Sequence, residues 1–223
     1  GVKILTHHTF IGFNEENEAL IKNKDKQLTI NSDFIVFALG GASWSQTGSD
    51  GKWLNLFTDI GIKCDPFQPS NCGINVKWNK DFVNFHSGKP LKNISVTVNT
   101  KTIKGEVLVT DYGLEGNAIY PSVPEIRELI NLRKDPFISI DLKPNNSIEQ
   151  LEEKIERSTK TKDYERIFNL NKVQFSLLKA YTTKDEFINP HFFVKKIKHL
   201  PVPITGLRPI DEAISTIGGI SRD

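Results

Sequence analysis

The chain has 223 residues, 38% of them hydrophobic, which is enough for one large domain or two small ones with a substantial apolar core. Its 29 Lys and Arg residues nearly balance 27 Asp and Glu residues, so the net charge of +2 excludes the strongly basic surface typical of nucleic-acid-binding proteins. No apolar run reaches the roughly 18 residues that a membrane-spanning helix needs. We therefore expect a cytoplasmic protein that binds neither nucleic acid nor a membrane.

Residues 2–31 predict a β-meander, because short apolar segments alternate there with polar clusters. The segments Ala19–Ile21 and Leu28–Ile30 are expected to pair across the turn Asn23–Lys26. The sequence contains no Met and opens on Gly1, so we also expect it to be an internal part of a longer protein.

A strand, a glycine loop and a helix are predicted next. The apolar run Phe34–Leu39 is typical of a fully buried strand, and Gly40 and Gly41 follow it directly. Asp50 is the expected N-cap of a helix whose C-terminal stop is Gly61, with one apolar face formed by Trp53, Leu54, Phe57 and Ile60. Such an arrangement suits a nucleotide, although an ordinary strand-to-helix turn has the same pattern.

Pro66 and Pro69 interrupt the periodicity of apolar residues and predict a domain boundary. Residues 66–120 are β-rich, with predicted strands at Ile74–Trp78, Ile94–Asn99 and Thr102–Thr110. A turn follows at Asp111–Gly116, where two glycines indicate a backbone geometry that other residues would resist. The two cysteines, Cys64 and Cys72, form no C-x-x-C pair and are expected to be free thiols.

Residues 121–203 are predicted to be mainly helical. The segments expected there are a helix around Ile126–Arg133, a strand at Phe137–Leu142, a helix from the capping box Ser147–Gln150 to about Arg157, and a helix from Asn189–Pro190 to about His199. Pro201 and Pro203 are expected to end this region. Residues 204–223 are too few for a domain, so we expect them to return to the domain formed by residues 1–65, with residues 66–203 as an insert.

Several ordered motifs carry a resemblance to a known family. They are Ala38–Gly41, GGASWSQTGSDG at 40–51, PSNCG at 69–73, GEVLVTDYGLEGNAIY at 105–120 and RPIDEAISTIGG at 208–219. In this order and spacing they resemble the bacterial BaiN-like family, the NAD(P)/FAD-dependent or aminoacetone-oxidase-type flavoproteins. The resemblance extends over essentially the whole chain.

The resemblance implies an α+β fold in which a partial Rossmann-type FAD domain of meander, strand and helix is interrupted by an insert with a β-barrel-like part and a helical part. It implies FAD contacts at Gly40, Gly41, Ala42, Thr47, Gly48, Thr216, Gly218 and Gly219. The family's opening Gly-x-Gly-x-x-Gly strand and closing glycine-rich segment do not occur here. We therefore expect FAD in the full-length parent and an inactive, flavin-free chain in isolation.

The implied function is hydride transfer between flavin and either NAD(P)H or a small organic substrate. Since flavin performs that chemistry itself, no acid–base residue is required, and we assign neither a catalytic residue nor a metal ligand. Arg208 could bind an anionic group of the cofactor or substrate, or form a surface ion pair with Asp211 or Glu212. Tyr112 could face a substrate or be structural. The alternative function is a non-enzymatic β/α binding or interaction module.

Overall fold

The computed structural model describes residues 1–155 and 160–222. The chain divides into two compact units. The first unit contains Gly1–Pro69 and the segment from Ile210 onward, and the second unit contains Ser70–Pro209. The assignment of these units to a flavin-binding domain and an insert remains a prediction.

The secondary structure of the described residues mixes strands and helices. The strands are β1 Thr9–Phe13, β2 Ala19–Asn23, β3 Lys26–Ile30, β4 Cys64–Asn71, β5 Ile74–Asn75, β6 Pro90–Val98, β7 Lys101–Val109, β8 Gly113–Glu115, β9 Phe137–Asp141, β10 Leu200–Pro203, β11 Gly206–Leu207 and β12 Ser215–Ile220. The helices are α1 Trp53–Thr58, α2 Lys80–His86, α3 Val123–Asn131, α4 Ile148–Ile155, α5 Tyr164–Ile167, α6 Lys172–Ala180, α7 Lys184–Ile188 and α8 Pro190–Lys198. The predicted α+β class is confirmed.

The N-terminal meander is confirmed in detail. Strands β1, β2 and β3 form a three-stranded sheet in chain order. Ala19 pairs with Ile30 and Ile21 with Leu28, which is the register expected from the apolar segments on either side of the polar turn. Strand register follows the apolar pattern because a shift by one residue would move every side chain to the opposite face.

The prediction of a buried strand at Phe34–Leu39 is wrong. Phe34 is 91% exposed and Val36 is 88% exposed. Apolar residues form a buried strand only where neighbouring strands bond to their backbone, and no other described segment pairs with this run. Phe37 alone packs into an aromatic cluster, with its ring centroid 5.0 Å from that of Phe57.

Helix α1 begins later than predicted and ends as predicted. The N-cap is Lys52, and the Asp50 carboxylate accepts a hydrogen bond from the Lys52 backbone N–H at 3.1 Å, so Asp50 stabilises the turn before the helix. Gly61 has φ +82°, a conformation that glycine adopts without strain. The Ile62 N–H donates to the Phe57 carbonyl and the Gly61 N–H to the Thr58 carbonyl, which together make a Schellman cap.

Pro66 and Pro69 do not end a strand as their interruption of the periodicity suggested, because both lie within β4; the domain boundary expected there stays a prediction. Strand β4 pairs with β12 in a two-stranded sheet, so each strand has an edge without a partner in the described structure. Proline is tolerated in edge strands because its missing N–H can face the unpaired side. The same explanation applies to Pro201 and Pro203, which lie in the edge strand β10.

A seven-stranded antiparallel sheet forms the centre of the second unit, in the order β10-β9-β6-β7-β8-β5-β11. Its two edge strands are consecutive in the chain. The Ile204 N–H donates to the Pro136 carbonyl beside β9, and the next N–H, that of Thr205, donates to the Asn75 carbonyl in β5. Two consecutive residues thus hydrogen bond to opposite edges of the sheet. The sheet therefore closes into a barrel, as the resemblance implied.

The predicted β6–β7 hairpin is confirmed, although the strand predicted at Ile74–Trp78 is shorter and ends at Asn75. The turn glycines have the special geometry expected of them. Gly116 has φ +121°, and a Cβ on Gly113 would overlap the Ile74 carbonyl oxygen. Glycine at position 113 therefore allows β8 to lie against β5.

Helices of the second unit pack on the barrel through one apolar core. The capping box of α4 is confirmed, because Ser147 and Gln150 exchange hydrogen bonds between side chain and backbone. The predicted end of this helix near Arg157 lies outside the described residues. Asn189 caps α8 as predicted, accepting hydrogen bonds from the His191 and Phe192 N–H groups. Strands β9 and β10 flank this helical region and belong to the barrel sheet.

Candidate functional site

The first unit contains a cavity of about 520 Å³ between its glycine loop and strand β12. Two segments far apart in the chain form most of its wall. The lining residues are Gly40, Gly41, Ser43, Trp53, Phe67, Ile214, Ser215, Thr216, Gly218, Gly219 and Ile220.

Side chains from α1 and β12 hold the glycine loop against this cavity. The Trp53 indole Nε1–H donates to the Gly40 carbonyl at 3.1 Å, and the Ser49 hydroxyl hydrogen bonds to the Leu39 and Gly41 carbonyls. From β12, the Thr216 hydroxyl oxygen accepts a long hydrogen bond of 3.4 Å from the Ala42 N–H. The loop conformation thus depends on residues on both sides of the cavity.

The lining glycines are required for different reasons. A Cβ on Gly41 would overlap the Thr216 hydroxyl, and a Cβ on Gly218 would lie 2.5 Å from the Pro66 carbonyl oxygen. These two positions allow protein segments to pack closely. A Cβ on Gly219 would meet only ordinary contacts, at 3.9 Å from Trp53 and 4.0 Å from Phe67. Gly219 therefore leaves space on the side of the two aromatic rings.

The structure brings together five of the residues that the resemblance implied, Gly40, Gly41, Thr216, Gly218 and Gly219. Ala42 lies directly beside them and is buried. Thr47 is the last residue of a short 3₁₀ turn, Ser45–Thr47, and Gly48 is its C-cap. Neither residue lines the cavity. Arg208 belongs to the second unit. Their role in cofactor binding remains a prediction.

Sequence reasoning missed several lining residues, among them Ser43, Trp53, Phe67 and Ser215. Trp53 was identified only as part of a helix face. Phe67 could have been found if the prolines around it had been interpreted as part of an edge strand.

The cavity has no ionisable side chain among its described lining residues. It offers backbone groups, hydroxyls of Ser43, Ser215 and Thr216, and two aromatic rings whose centroids are 5.7 Å apart at 74°. These groups suit a planar, uncharged, hydrogen-bonding ring system such as those of a flavin dinucleotide. They supply no cation for a pyrophosphate. The lining residues therefore fit a ring portion of FAD. None of them is an acid or base that could transfer a proton.

A separate polar cluster in the second unit surrounds Arg208. Its guanidinium carbon lies 4.1 Å from the centroid of the Tyr112 ring, and its Nη1 donates to the Asn75 side-chain oxygen at 3.2 Å. The Tyr112 hydroxyl donates to the Glu115 carboxylate. Burial, and then this hydrogen bond, raise the pKa of Tyr112, so its hydroxyl stays protonated at neutral pH. Tyr112 thus lies between the Arg208 guanidinium and the Glu115 carboxylate.

No metal site or membrane-crossing helix is found in the part of the chain that the structure describes. Within residues 1–155 and 160–222, no three His, Cys, Asp or Glu side chains are grouped as metal ligands would be. None of the described helices combines the length and apolar character needed to cross a bilayer. Cys64 and Cys72 are free thiols, and burial raises the pKa of Cys72.

The closed barrel with its attached helices defines an α+β protein with a barrel-and-helix domain. Residues 68–215 match the family described as the HI0933-like protein barrel and H2TH domain. The chain therefore belongs to the HI0933-like family, the BaiN and aminoacetone-oxidase group of FAD-dependent flavoprotein oxidoreductases. This confirms the resemblance drawn from the motifs. A search among curated proteins gave no match.

Proposed function

We propose that the chain supplies the barrel-and-helix domain and part of the flavin site of an FAD-dependent oxidoreductase that transfers hydride between flavin and NAD(P)H or a small organic substrate. The observation that carries the proposal is the convergence of implied FAD residues on one cavity. The Ala42–Thr216 hydrogen bond joins residues 174 positions apart. Family membership supports the same function.

In this proposal FAD supplies the hydride chemistry, and the chain positions it. The backbone around Gly40 and Gly219 and the hydroxyl of Thr216 hydrogen bond to a flavin or adenine ring. Trp53 and Phe67 cover one side of the cavity and exclude water. A neutral lining is appropriate because burying an unpaired charge against an uncharged ring would be costly.

The test uses the full gene product and two substitutions in the cavity. Thr216→Val removes the hydroxyl while keeping the shape of the side chain, and losing one hydrogen bond should weaken FAD binding by roughly 2- to 10-fold. Gly219→Val fills the cavity and should weaken binding more. Thr29→Val, on exposed strand β3, is the matched control for the hydroxyl.

FAD titration followed by flavin fluorescence gives the affinities. Equal affinities in all three variants and the wild type would refute the assignment of this cavity to FAD. A full gene product that binds no flavin would instead favour the non-enzymatic binding module. In the 223-residue chain by itself we expect no tightly bound FAD, which the visible absorbance of the purified chain tests.

Arg208 has a proposed role of its own, the binding of an anionic group of cofactor or substrate. Its guanidinium carbon lies 4.1 Å from the centroid of the Tyr112 ring, and a planar guanidinium can bind an oxyanion through paired hydrogen bonds. Arg208→Lys keeps the charge but loses that geometry. If Arg208→Lys and Arg208→Ala both leave FAD and substrate affinities unchanged in the full gene product, Arg208 is structural.

A further inference from the structure

The second unit contains a cavity of about 540 Å³ that the proposed flavin function does not use. Three segments surround it: the bulged part of β6, the connection between β9 and α4, and the start of α6. The lining residues are Lys92, Asn93, Lys143, Pro144, Asn145, Asn146, Asn169, Leu170, Asn171 and Gln174. None of these carries a negative charge, whereas two carry a positive charge.

The two lining lysines differ from other lysines of this unit. Lys101, Lys196 and Lys198 each lie within 3.0 Å of a carboxylate oxygen. Neither Lys92 nor Lys143 has a carboxylate within ion-pair distance among the described residues. Among the described residues, the Lys143 ammonium donates to the Asn169 carbonyl, at 2.6 Å. Burial, and then the nearby Lys154, lower the pKa of Lys143, because no negative charge compensates for its partial loss of hydration.

Gln174 adds a neutral hydrogen-bond donor to the lining of this cavity. Its side chain is only 4% exposed, and its Oε1 accepts a hydrogen bond from the Asn171 N–H at 3.1 Å as part of the α6 capping box. This contact fixes the orientation of the amide, so the other terminal atom is the NH₂ group. Among the described residues nothing accepts a hydrogen bond from that NH₂ group. This NH₂ group is not among the fully buried, unpartnered atoms of the described residues, so it is accessible from the cavity and can donate to a ligand there.

We propose that this cavity binds a small phosphate-bearing molecule, held by the ammonium groups of Lys92 and Lys143 and by the amide NH₂ of Gln174. A phosphate group offers two negative charges and several acceptor oxygens, which match two unpaired cations and a neutral donor. A monocarboxylate would satisfy only part of this set. The net charge of +2 for the whole chain argues against a nucleic acid as the ligand.

The α6 cap allows an informative variant. Gln174→Glu keeps an oxygen that accepts the Asn171 N–H, so the capping box is retained, but it replaces the NH₂ donor with a carboxylate oxygen. Lys143→Gln removes the charge of the partly buried lysine, and Lys143→Arg preserves the charge. Lys184→Gln, at an exposed position on α7, is the control for the loss of one positive charge elsewhere.

The assay is titration calorimetry of the purified chain with inorganic pyrophosphate in low-salt buffer. We expect saturable binding that weakens with added salt, and a loss of at least about tenfold in affinity for both Gln174→Glu and Lys143→Gln. Lys143→Arg and Lys184→Gln should bind within about threefold of the wild type. Circular dichroism and thermal unfolding identify any variant that has lost its fold.

Three results would each overturn the proposal: no saturable heat with wild-type protein, an unchanged affinity in folded Gln174→Glu and Lys143→Gln, or equal binding of malonate and pyrophosphate. Parallel titrations with inorganic phosphate and adenosine 5′-monophosphate tell whether the cavity takes a phosphate group alone or a nucleotide. Because the cavity lies in the second unit, failure here leaves the flavin proposal intact, and failure of FAD binding leaves this proposal intact.

Discussion

Substitution of Gly218 by alanine should disrupt the pairing of β4 with β12 far more than the same substitution at Gly219. Both glycines have positive φ, +104° and +114°, so alanine at either position is strained by about 1–2 kcal/mol. At Gly218 the new Cβ would also lie 2.5 Å from the Pro66 carbonyl oxygen and 2.9 Å from the Phe67 Cα. Backbone atoms cannot rotate away as a side chain can.

Overpacking against these backbone atoms adds about 1–3 kcal/mol to the backbone strain, so Gly218→Ala should destabilise the β4–β12 pairing by about 2–5 kcal/mol in total. Gly219→Ala meets no atom closer than 3.9 Å and has only the backbone strain. These free energies raise the equilibrium constant for local opening by roughly 30-fold to several-thousand-fold at Gly218 and by roughly 5- to 30-fold at Gly219.

Hydrogen exchange of the β4 backbone amides, followed by mass spectrometry, measures this difference directly. Exchange in β6 and β7 is the internal reference, because these strands belong to the second unit. If Gly218→Ala accelerates β4 exchange no more than Gly219→Ala does, the close approach of β12 to Pro66 is not what requires glycine. The reasoning for Gly218 would then be wrong.

Three further predictions concern the second unit. Gly113→Ala places a Cβ against the Ile74 carbonyl and should destabilise the barrel by about 3 kcal/mol, measured as a lower urea midpoint; an unchanged midpoint would contradict the close packing of β8 on β5. Phe193→Ala removes a fully buried ring whose centroid is 4.5 Å from that of Tyr164, at a cost of about 3–5 kcal/mol in the same assay, and a loss below about 1 kcal/mol would contradict its central place in the helical core. Burial, and then Lys89, lower the pKa of His86 below its ordinary value of 6.5, so the unfolded chain takes up the proton first and stability falls as the pH drops below 6.5. Unfolding of His86→Phe between about pH 7 and about pH 5 should depend less on pH than that of the wild type, and an equal dependence would show that other groups are responsible.

The candidate site could be predicted only in part. The family motifs pointed to Gly40, Gly41, Thr216, Gly218 and Gly219, which do line one cavity. The aromatic wall was missed, because Phe67 reaches the cavity from a strand that contains prolines, and propensity disfavours such a strand. Gln174 was missed for a different reason. The group that its amide presents to the cavity is known only once the capping contact of its side-chain oxygen is known.

The sequence by itself determined the local elements whose signals are contained in a few neighbouring residues. The β2–β3 register, the Gly61 stop, the Ser147 and Asn189 caps and the turn glycine at Gly116 all follow from short-range rules of periodicity, capping and backbone freedom. Only the tertiary structure decided which elements meet. Barrel closure depends on Ile204 and Thr205 bonding to opposite edges of one sheet, and the apolar run at Phe34 is exposed because no other described strand pairs with it. Such contacts join residues distant in sequence, so no local pattern encodes them.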